Sequence, residues 1–347
     1  MAPKAAGSAE ELEKYCADLR AAGLDAPWSR PGPLIEQKRT RVETRLWRWA
    51  EIEPLLERTA EFMAPGRGGE RRILRIANPG VPERTSTHTI SVALQYLLPG
   101  EVAPAHRHTP NAIRFMLRGQ GAYTTVDGDK CVMQPGDLVL TPSMTWHDHG
   151  NEGTGPVIWL DGLDSPVVRY LEVLSMQPHA EQRQATGPRT GLSECRYGTA
   201  GLHPAWKAAD GKPGRLLHYR WETTRNALLR LATVEASPFD DVVMEYVAPA
   251  TGQSLLSTIG CYIQMLRPGV RTQTHRQTSS SVYLVFEGSG FTVIDGVRYD
   301  WHQGDVLVVA PWAAHAHGNE SGAPAMLFSI QDVPLLKLLS LYREEAE

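Results

Sequence analysis

Little in this chain points to nucleic acid, to a membrane or to a disulfide frame. Its 35 Lys and Arg against 39 Asp and Glu leave a formal charge of -4. With no basic excess there is nothing to displace the counterions of a polyphosphate, so a general nucleic-acid partner is excluded. Any anion must be held by a few placed arginines. No window approaches the roughly 20 apolar residues that span a bilayer. The opening MAPKAAGSAEELEKYCADLRAAG contains no apolar signal segment. Cys16, Cys131, Cys195 and Cys261 are scattered, with no CxxC spacing. They read as reduced thiols of a cytoplasmic protein, not as cross-links or zinc ligands.

What the chain does have is length for two domains and a change of texture. Residues 1–70 read as a helical arm. Ser8 and Glu11 form a capping-box pattern. Leu12, Tyr15, Cys16 and Leu19 then recur at helical spacing up to Gly23, and 51–63 form a second helix with Pro54 near its first turn. The stretch APGRGGERR at 64–72 reads as a hinge. Across 71–175, short apolar or alternating runs are punctuated by Gly, Pro and Asp-Gly, the pattern of a sandwich or barrel. Asp127-Gly128 marks a hairpin. Residues 176–245, rich in Arg, Gly and Pro, read as an irregular connecting segment. Residues 246–347 resume the barrel texture and close with a helix, with Asp332 as its N-cap and Pro334 in the first turn.

The barrel texture occurs twice. HTPNAIRFMLRGQGAYTTVDG at 108–128 parallels HRQTSSSVYLVFEGSGFTVIDG at 275–296, and PGDLVLTPSMTWHDHGN parallels QGDVLVVAPWAAHAHGN. The Gly-x-Gly, Asp-Gly, Gly-Asp and His-x-His-Gly-Asn landmarks keep their order, so the chain holds two copies of one small β-barrel. In a strand, residues two apart share a face, so His106 and His108 aim both imidazoles into one space. The segment TPSMTWH brings His147 to the same barrel. Three neutral imidazoles on a rigid sheet make a facial metal site with positions left open. With His275 set against His108, the second copy has Gln273 in the place of His106 and is expected to bind metal far less firmly. One metal is therefore expected, in the first barrel.

The stretch GEVAPAHRHTPNAIRFMLRGQGAYTTVDGDKCVMQPGDLVLTPSMTWHDHGN resembles the first cupin of the gentisate 1,2-dioxygenase family, which includes salicylate and 1-hydroxy-2-naphthoate dioxygenases. TPNAI offers no glutamate as a fourth ligand, which matches the three-His members and argues against oxalate-decarboxylase-like relatives. The resemblance implies an all-β bicupin: two double-stranded β-helix (jelly-roll) barrels with an N-terminal helical arm and a C-terminal helix. It implies Fe(II) on His106, His108 and His147, O2 as co-substrate, and cleavage of the C1–C2 bond of gentisate to maleylpyruvate. Salicylate, a substituted salicylate or 1-hydroxy-2-naphthoate are alternative substrates. The partner is thus a small aromatic 2-hydroxy acid, and the family's usual assembly is a homotetramer.

Arg114 lies in the apolar strand AIRFML; the alternation from His108 turns it inward, where it needs a partner such as a substrate carboxylate or Asp161. Asp161 in VIWLDGLD orients Arg114 or a histidine. His149, by resemblance, lies beside substrate and oxygen outside the coordination shell, although the second copy keeps His317. Gln95 shares a strand face with Ser91 and Ala93, positions that line the substrate pocket in relatives. Many relatives carry an aromatic residue at the first of these two and glycine at the second. Arg71 or Arg72 is a second cation for the substrate. A bicupin binding protein and an O2-independent isomerase or decarboxylase remain rival readings.

Overall fold

The computed structural model describes residues 8–30, 40–63, 72–187, 190–206 and 214–347. Residues 1–40 form a unit of their own. Its helix α1 (Ala9–Ala21) starts on the capping box expected from the sequence: the Glu11 amide donates to the Ser8 hydroxyl, and the Ser8 amide donates to the Glu11 carboxylate.

Arg41 to Glu347 form the second unit. Strand β1 (Arg45–Trp47) and helix α2 (Trp49–Phe62) come first. The first barrel follows as β2 (Ile73–Arg75), β3 (Ser91–Leu97), β4 (Val102–His108), β5 (Ala112–Arg118), β6 (Ala122–Val126), β7 (Asp129–Val132), β8 (Leu138–Thr141), β9 (His147–Asn151) and β10 (Val157–Leu163). Next come α3 (Ser165–Tyr170), β11 (Met176–Pro178), α4 (Leu192–Tyr197), β12 (His218–Tyr219) and α5 (Trp221–Leu231). The second barrel repeats the plan with β13 (Val242–Glu245), β14 (Gly260–Leu266), β15 (His275–Gln277), β16 (Ser281–Glu287), β17 (Ser289–Ile294), β18 (Val297–His302), β19 (Val306–Val309), β20 (His315–Gly318) and β21 (Ala325–Gln331). Helix α6 (Val333–Leu338) and strand β22 (Glu344–Ala346) end the chain.

Each barrel is a pair of antiparallel sheets. The first has the orders β12-β8-β5-β10-β3-β2 and β11-β4-β9-β6-β7; the second has β1-β19-β16-β21-β14-β13 and β18-β17-β20-β15-β22. This is the bicupin architecture. The Asp-Gly pairs close matched hairpins, with Asp127 and Gly128 at φ 46 and 84 and Asp295 and Gly296 at φ 48 and 80. Strand β3 is buried on both faces because it divides two cores. One face joins Leu97, Met116, Val139 and Trp159 inside the first barrel. Val92, Leu94 and Tyr96 join the core shared with the second barrel, where Phe115 stacks on Phe328 at 4.1 Å between ring centroids.

The duplication extends beyond the barrels, and its flanking pieces are exchanged. Strand β1 pairs with β19 of the second barrel, while β12 pairs with β8 of the first. Each is followed by an Arg-Trp step that locks onto an aspartate. The Trp49 amide and Arg48 guanidinium meet Asp305 at 2.7 and 3.0 Å. The Trp221 amide and Arg220 guanidinium meet Asp137 at 2.8 and 3.4 Å. A notch in the barrel receives each indole. Gly136, at φ +88, would place a Cβ 2.4 Å from the Trp221 ring, and Gly304 stands in the same relation to Trp49. Gly136→Ala combines left-handed strain with overpacking and is expected to cost about 2–4 kcal/mol. Denaturant unfolding of the variant measures that loss.

Two expectations change. The segment 176–245 is not irregular throughout: its described residues contain α4, α5 and three strands, β11, β12 and β13. Helix α5 fully buries Leu228 and packs Trp221 and Leu231 against the core, an apolar face that the reading as an irregular segment passed over. The closing helix is six residues long, and Asp332 does not cap it with its side chain. The Asp332 carboxylate instead accepts from the Ser280 amide at 2.9 Å and the Thr89 hydroxyl at 2.5 Å. The tail then turns at Ser340, at φ 59, and adds β22 to β15. Among the described residues no helix is long and apolar enough to cross a membrane.

Candidate metal centre and active site

Strand β4 ends in His-Arg-His, so its pleat sends His106 and His108 to the same side. His147 opens β9 and pairs with His106 across the ladder. The ligating atoms of the three rings lie within 4.8 Å of one another. Each Nδ1 meets a carbonyl oxygen two residues away: Pro104 for His106, Pro110 for His108 and Thr145 for His147, all at 2.9 Å. A carbonyl only accepts, so Nδ1 carries the proton and Nε2 presents the lone pair. Three oriented neutral donors on one side fit a divalent transition metal with an open face. His149 is not one of the three clustered ligands, although its ring lies 5.5 Å from that of His147. Its Nδ1 is 2.9 Å from the Thr124 hydroxyl and its ring 5.8 Å from that of Trp159.

The second barrel corrects the expected alignment. His275 pairs with His315 as His106 pairs with His147. Gln277 lies opposite Glu344 as His108 lies opposite Met176. The lost ligand is therefore the second histidine of the pair, and Gln277 stands in its place; Gln273 lies before the strand. The strand register decides this: setting His275 against His108 displaces the copies by two residues. The Gln277 amide is tied to Ser281 at 3.2 Å, Gln331 at 3.3 Å and the Tyr342 hydroxyl at 3.1 Å. His275 is flanked by carboxylates, Glu344 at 3.0 Å and Asp240 at 3.9 Å. Burial holds His315 down at about 4, so it stays neutral. Among the described residues only the first barrel gathers three such ligands.

Across the first barrel from the histidines runs a ladder of Ala93, Asp161 and Arg114. Arg114 is 1% exposed. Its Nε lies 3.1 Å from the Asp161 carboxylate, and Nη1 donates to Thr141 at 3.0 Å. Burial lowers the Arg114 pKa and Asp161 opposes the shift. Asp161 also accepts from the Trp159 indole at 3.2 Å. Gln95, opposite Trp159 in the ladder, is fully buried, and neither atom of its amide has a hydrogen-bond partner. The same ladder in the second barrel reads Tyr262, Ser329 and Tyr283. Two phenols thus stand where the first barrel has a methyl group and a guanidinium. Gln264, the counterpart of Gln95, donates to the Asp240 carbonyl at 2.8 Å. The second barrel satisfies its glutamine, whereas the first leaves the Gln95 amide without a hydrogen-bond partner.

The cupin domain family matches residues 93–162 and 262–331. The chain is 39% identical to the 5-aminosalicylate 1,2-dioxygenase of Comamonas sp. over 97% of its length and 90% of that protein. It is 35% identical to the gentisate 1,2-dioxygenase of Streptomyces sp., over 96% and 94% of the two chains. The chain belongs to the ring-cleaving bicupin 1,2-dioxygenases. The solved salicylate 1,2-dioxygenase of Pseudoaminobacter salicylatoxidans, an adduct with gentisate, superposes on this dioxygenase with a TM-score of 0.88 at 30% identity. That match covers 100% of this chain and 96% of the other.

The remaining candidates of the dioxygenase separate by face. Ser91 and Ala93 lie buried on β3 in the same register series as Gln95. Arg71 lies outside the described residues. Arg72 pairs with Glu101 and its guanidinium lies 5.6 Å from the Tyr96 ring, on the side of β3 away from Gln95. Thr124 and Thr141, which hold His149 and Arg114, were not singled out in the sequence. Thr124 could have been found, since its counterpart Thr292 holds His317 at the same 2.9 Å. Nothing in the sequence marks Thr141.

Proposed function

We propose that this dioxygenase opens the ring of gentisate between C1 and C2, giving maleylpyruvate, with one Fe(II) held by His106, His108 and His147 and O2 as co-substrate. The observation that carries the reading is the pairing of three oriented imidazoles with a buried Arg114–Asp161 pair in one barrel. Bound iron supplies a site for the substrate's phenolate and carboxylate and passes electron density from ring to oxygen. The protein orients and neutralises. Arg114 binds the substrate carboxylate, and Asp161 and Thr141 set the plane of its guanidinium. Gln95 hydrogen-bonds the bound acid. His149, fixed by Thr124, donates to the ring hydroxyl or to oxygen. Ser91 and Ala93 set the room around the ring, and Arg71 supplies a second cation.

A second reading takes 5-aminosalicylate as the preferred substrate, favoured by the 39% identical relative. Both acids carry an electron donor para to the 2-hydroxyl, which makes the ring easier to oxidise than that of salicylate. We further infer a cytoplasmic homotetramer. Exposed apolar side chains end and follow two short helices: Tyr170, Leu171, Val173 and Leu174 at the end of α3, and Leu338, Leu339 and Leu341 at the end of α6. Such strips suit burial against other copies.

Anaerobic loading with Fe(II), followed by a panel of 2-hydroxybenzoates with oxygen uptake and ultraviolet spectra, tests the assignment. The expected result is one O2 consumed per molecule of gentisate, with salicylate turned over more slowly. A protein that transforms or binds these acids while consuming no O2 is an isomerase, a decarboxylase or a binding protein instead.

A further inference from the structure

The second barrel lacks a histidine at the third ligand position, yet it reaches the first barrel's metal ligands through one buried carboxylate. Asp164, 1% exposed, follows β10. Its Oδ1 accepts from the Asn111 amide at 2.8 Å. The carbonyl of that same peptide unit belongs to Pro110, which accepts from Nδ1 of His108 at 2.9 Å. One peptide plane is thus clamped between Asp164 and His108. The negative charge polarises it, and a more polarised carbonyl makes a better acceptor for the imidazole N–H.

The Asn111 side chain carries the contact onward. Its Nδ2 donates to Asp164 at 2.8 Å, and its Oδ1 accepts from the Ser143 amide at 3.0 Å. Ser143 opens the loop whose Thr145 carbonyl orients His147. Two of the three ligand histidines are therefore referred to one carboxylate. That carboxylate receives a hydroxyl from Thr258 of the second barrel at 2.5 Å.

The other half of the molecule is a matched comparison. Asp332 accepts from the Ser280 amide at 2.9 Å and from Thr89 at 2.5 Å, the same clamp in the same register. There it serves no ligand, because Gln277 stands where His108 would be. The link between loops is also missing: Ser280 replaces Asn111, and Pro311, at the place of Ser143, has no amide proton to give. The clamp is common to both barrels; the connection to the histidines belongs to the first alone.

We propose that Asp164 and Asn111 are positioning residues for the metal centre, and that the second barrel tightens iron binding in the first through Thr258. The proposal rests on the metal assignment above. Its test compares Asp164→Asn with Asp332→Asn, and Asn111→Ser with wild type, in the full chain loaded with Fe(II). Iron release to a chelator is followed by absorbance, beside thermal unfolding of each variant. Outer-shell changes typically weaken metal binding ~10–100-fold, so Asp164→Asn and Asn111→Ser should speed release by about 10-fold or more. Asp332→Asn should release iron at the wild-type rate while losing thermal stability as Asp164→Asn does. Thr258→Val should speed release, Thr258→Ser should restore it, and Thr89→Val should leave it unchanged. Equal release from the Asp164 and Asp332 variants overturns the proposal and leaves the clamp a fold element. A wild-type protein that retains no iron removes the metal assignment itself, and this proposal with it.

Discussion

His108→Ala is expected to abolish both iron retention and ring cleavage, and Gln277→Ala to leave both nearly intact. Removing His108 leaves two imidazoles, His106 and His147, of the three-ligand cluster found among the described residues. Loss of an outer-shell partner alone costs 10–100-fold, so loss of a ligand should cost at least about 1,000-fold in affinity and in turnover. The barrel should survive, because the second barrel keeps its β-ladders with glutamine at that position. Gln277→Ala breaks contacts to Ser281, Gln331 and Tyr342, which should cost about 1–3 kcal/mol of stability. Metal content by elemental analysis, oxygen uptake and unfolding curves separate the two effects. Equal loss of iron from both variants would mean that the two barrels share the metal.

Arg114→Met is expected to destroy turnover and stability together, and pairing it with Asp161→Asn should rescue only the second. The single change strands a buried Asp161 carboxylate, a loss of about 3–5 kcal/mol. Neutralising both partners removes that stranded charge, so much of the stability should return. The substrate carboxylate still lacks its cation in the double variant. kcat/KM should therefore stay down by roughly 100–1,000-fold, the scale of a lost charge-assisted contact at a reacting centre. Recovery of turnover along with stability in the double variant would reduce the pair to a structural role.

The metal trio was legible because strand alternation alone brings His106 and His108 together, and the duplicated landmarks point to His147. The two barrels were legible for the same reason. The register between them was within reach, since Gly119 and Gly288, Asp127 and Asp295, and His147 and His315 are 169, 168 and 168 residues apart, which sets His106 against His275. Pairing histidine with histidine overrode those offsets, and the pairing of Gln277 with Glu344 settles the matter. Helix α5 was legible in principle from Trp221, Leu228 and Leu231 at helical spacing, but its Arg-rich surroundings masked it. Asp164 left a faint trace, an Asp-x-Pro step before each short helix, whose meaning lies in hydrogen bonds to Asn111 and Thr258 far along the chain. The state of Gln95 is a fact of packing: the same residue type occurs in both barrels, and only the neighbours show which one is left unsatisfied.

The exchange of β1 and β12 between the halves has a consequence for how the molecule can be divided. A cut after the first barrel hands each fragment the buckle that fastens the other. One piece keeps Trp49 but loses the notch at Gly304 that seats it; the other keeps Trp221 without Gly136. The halves are thus interlocked reciprocally, like two clasped hands, and each barrel depends on the other's segment for a wall of its own.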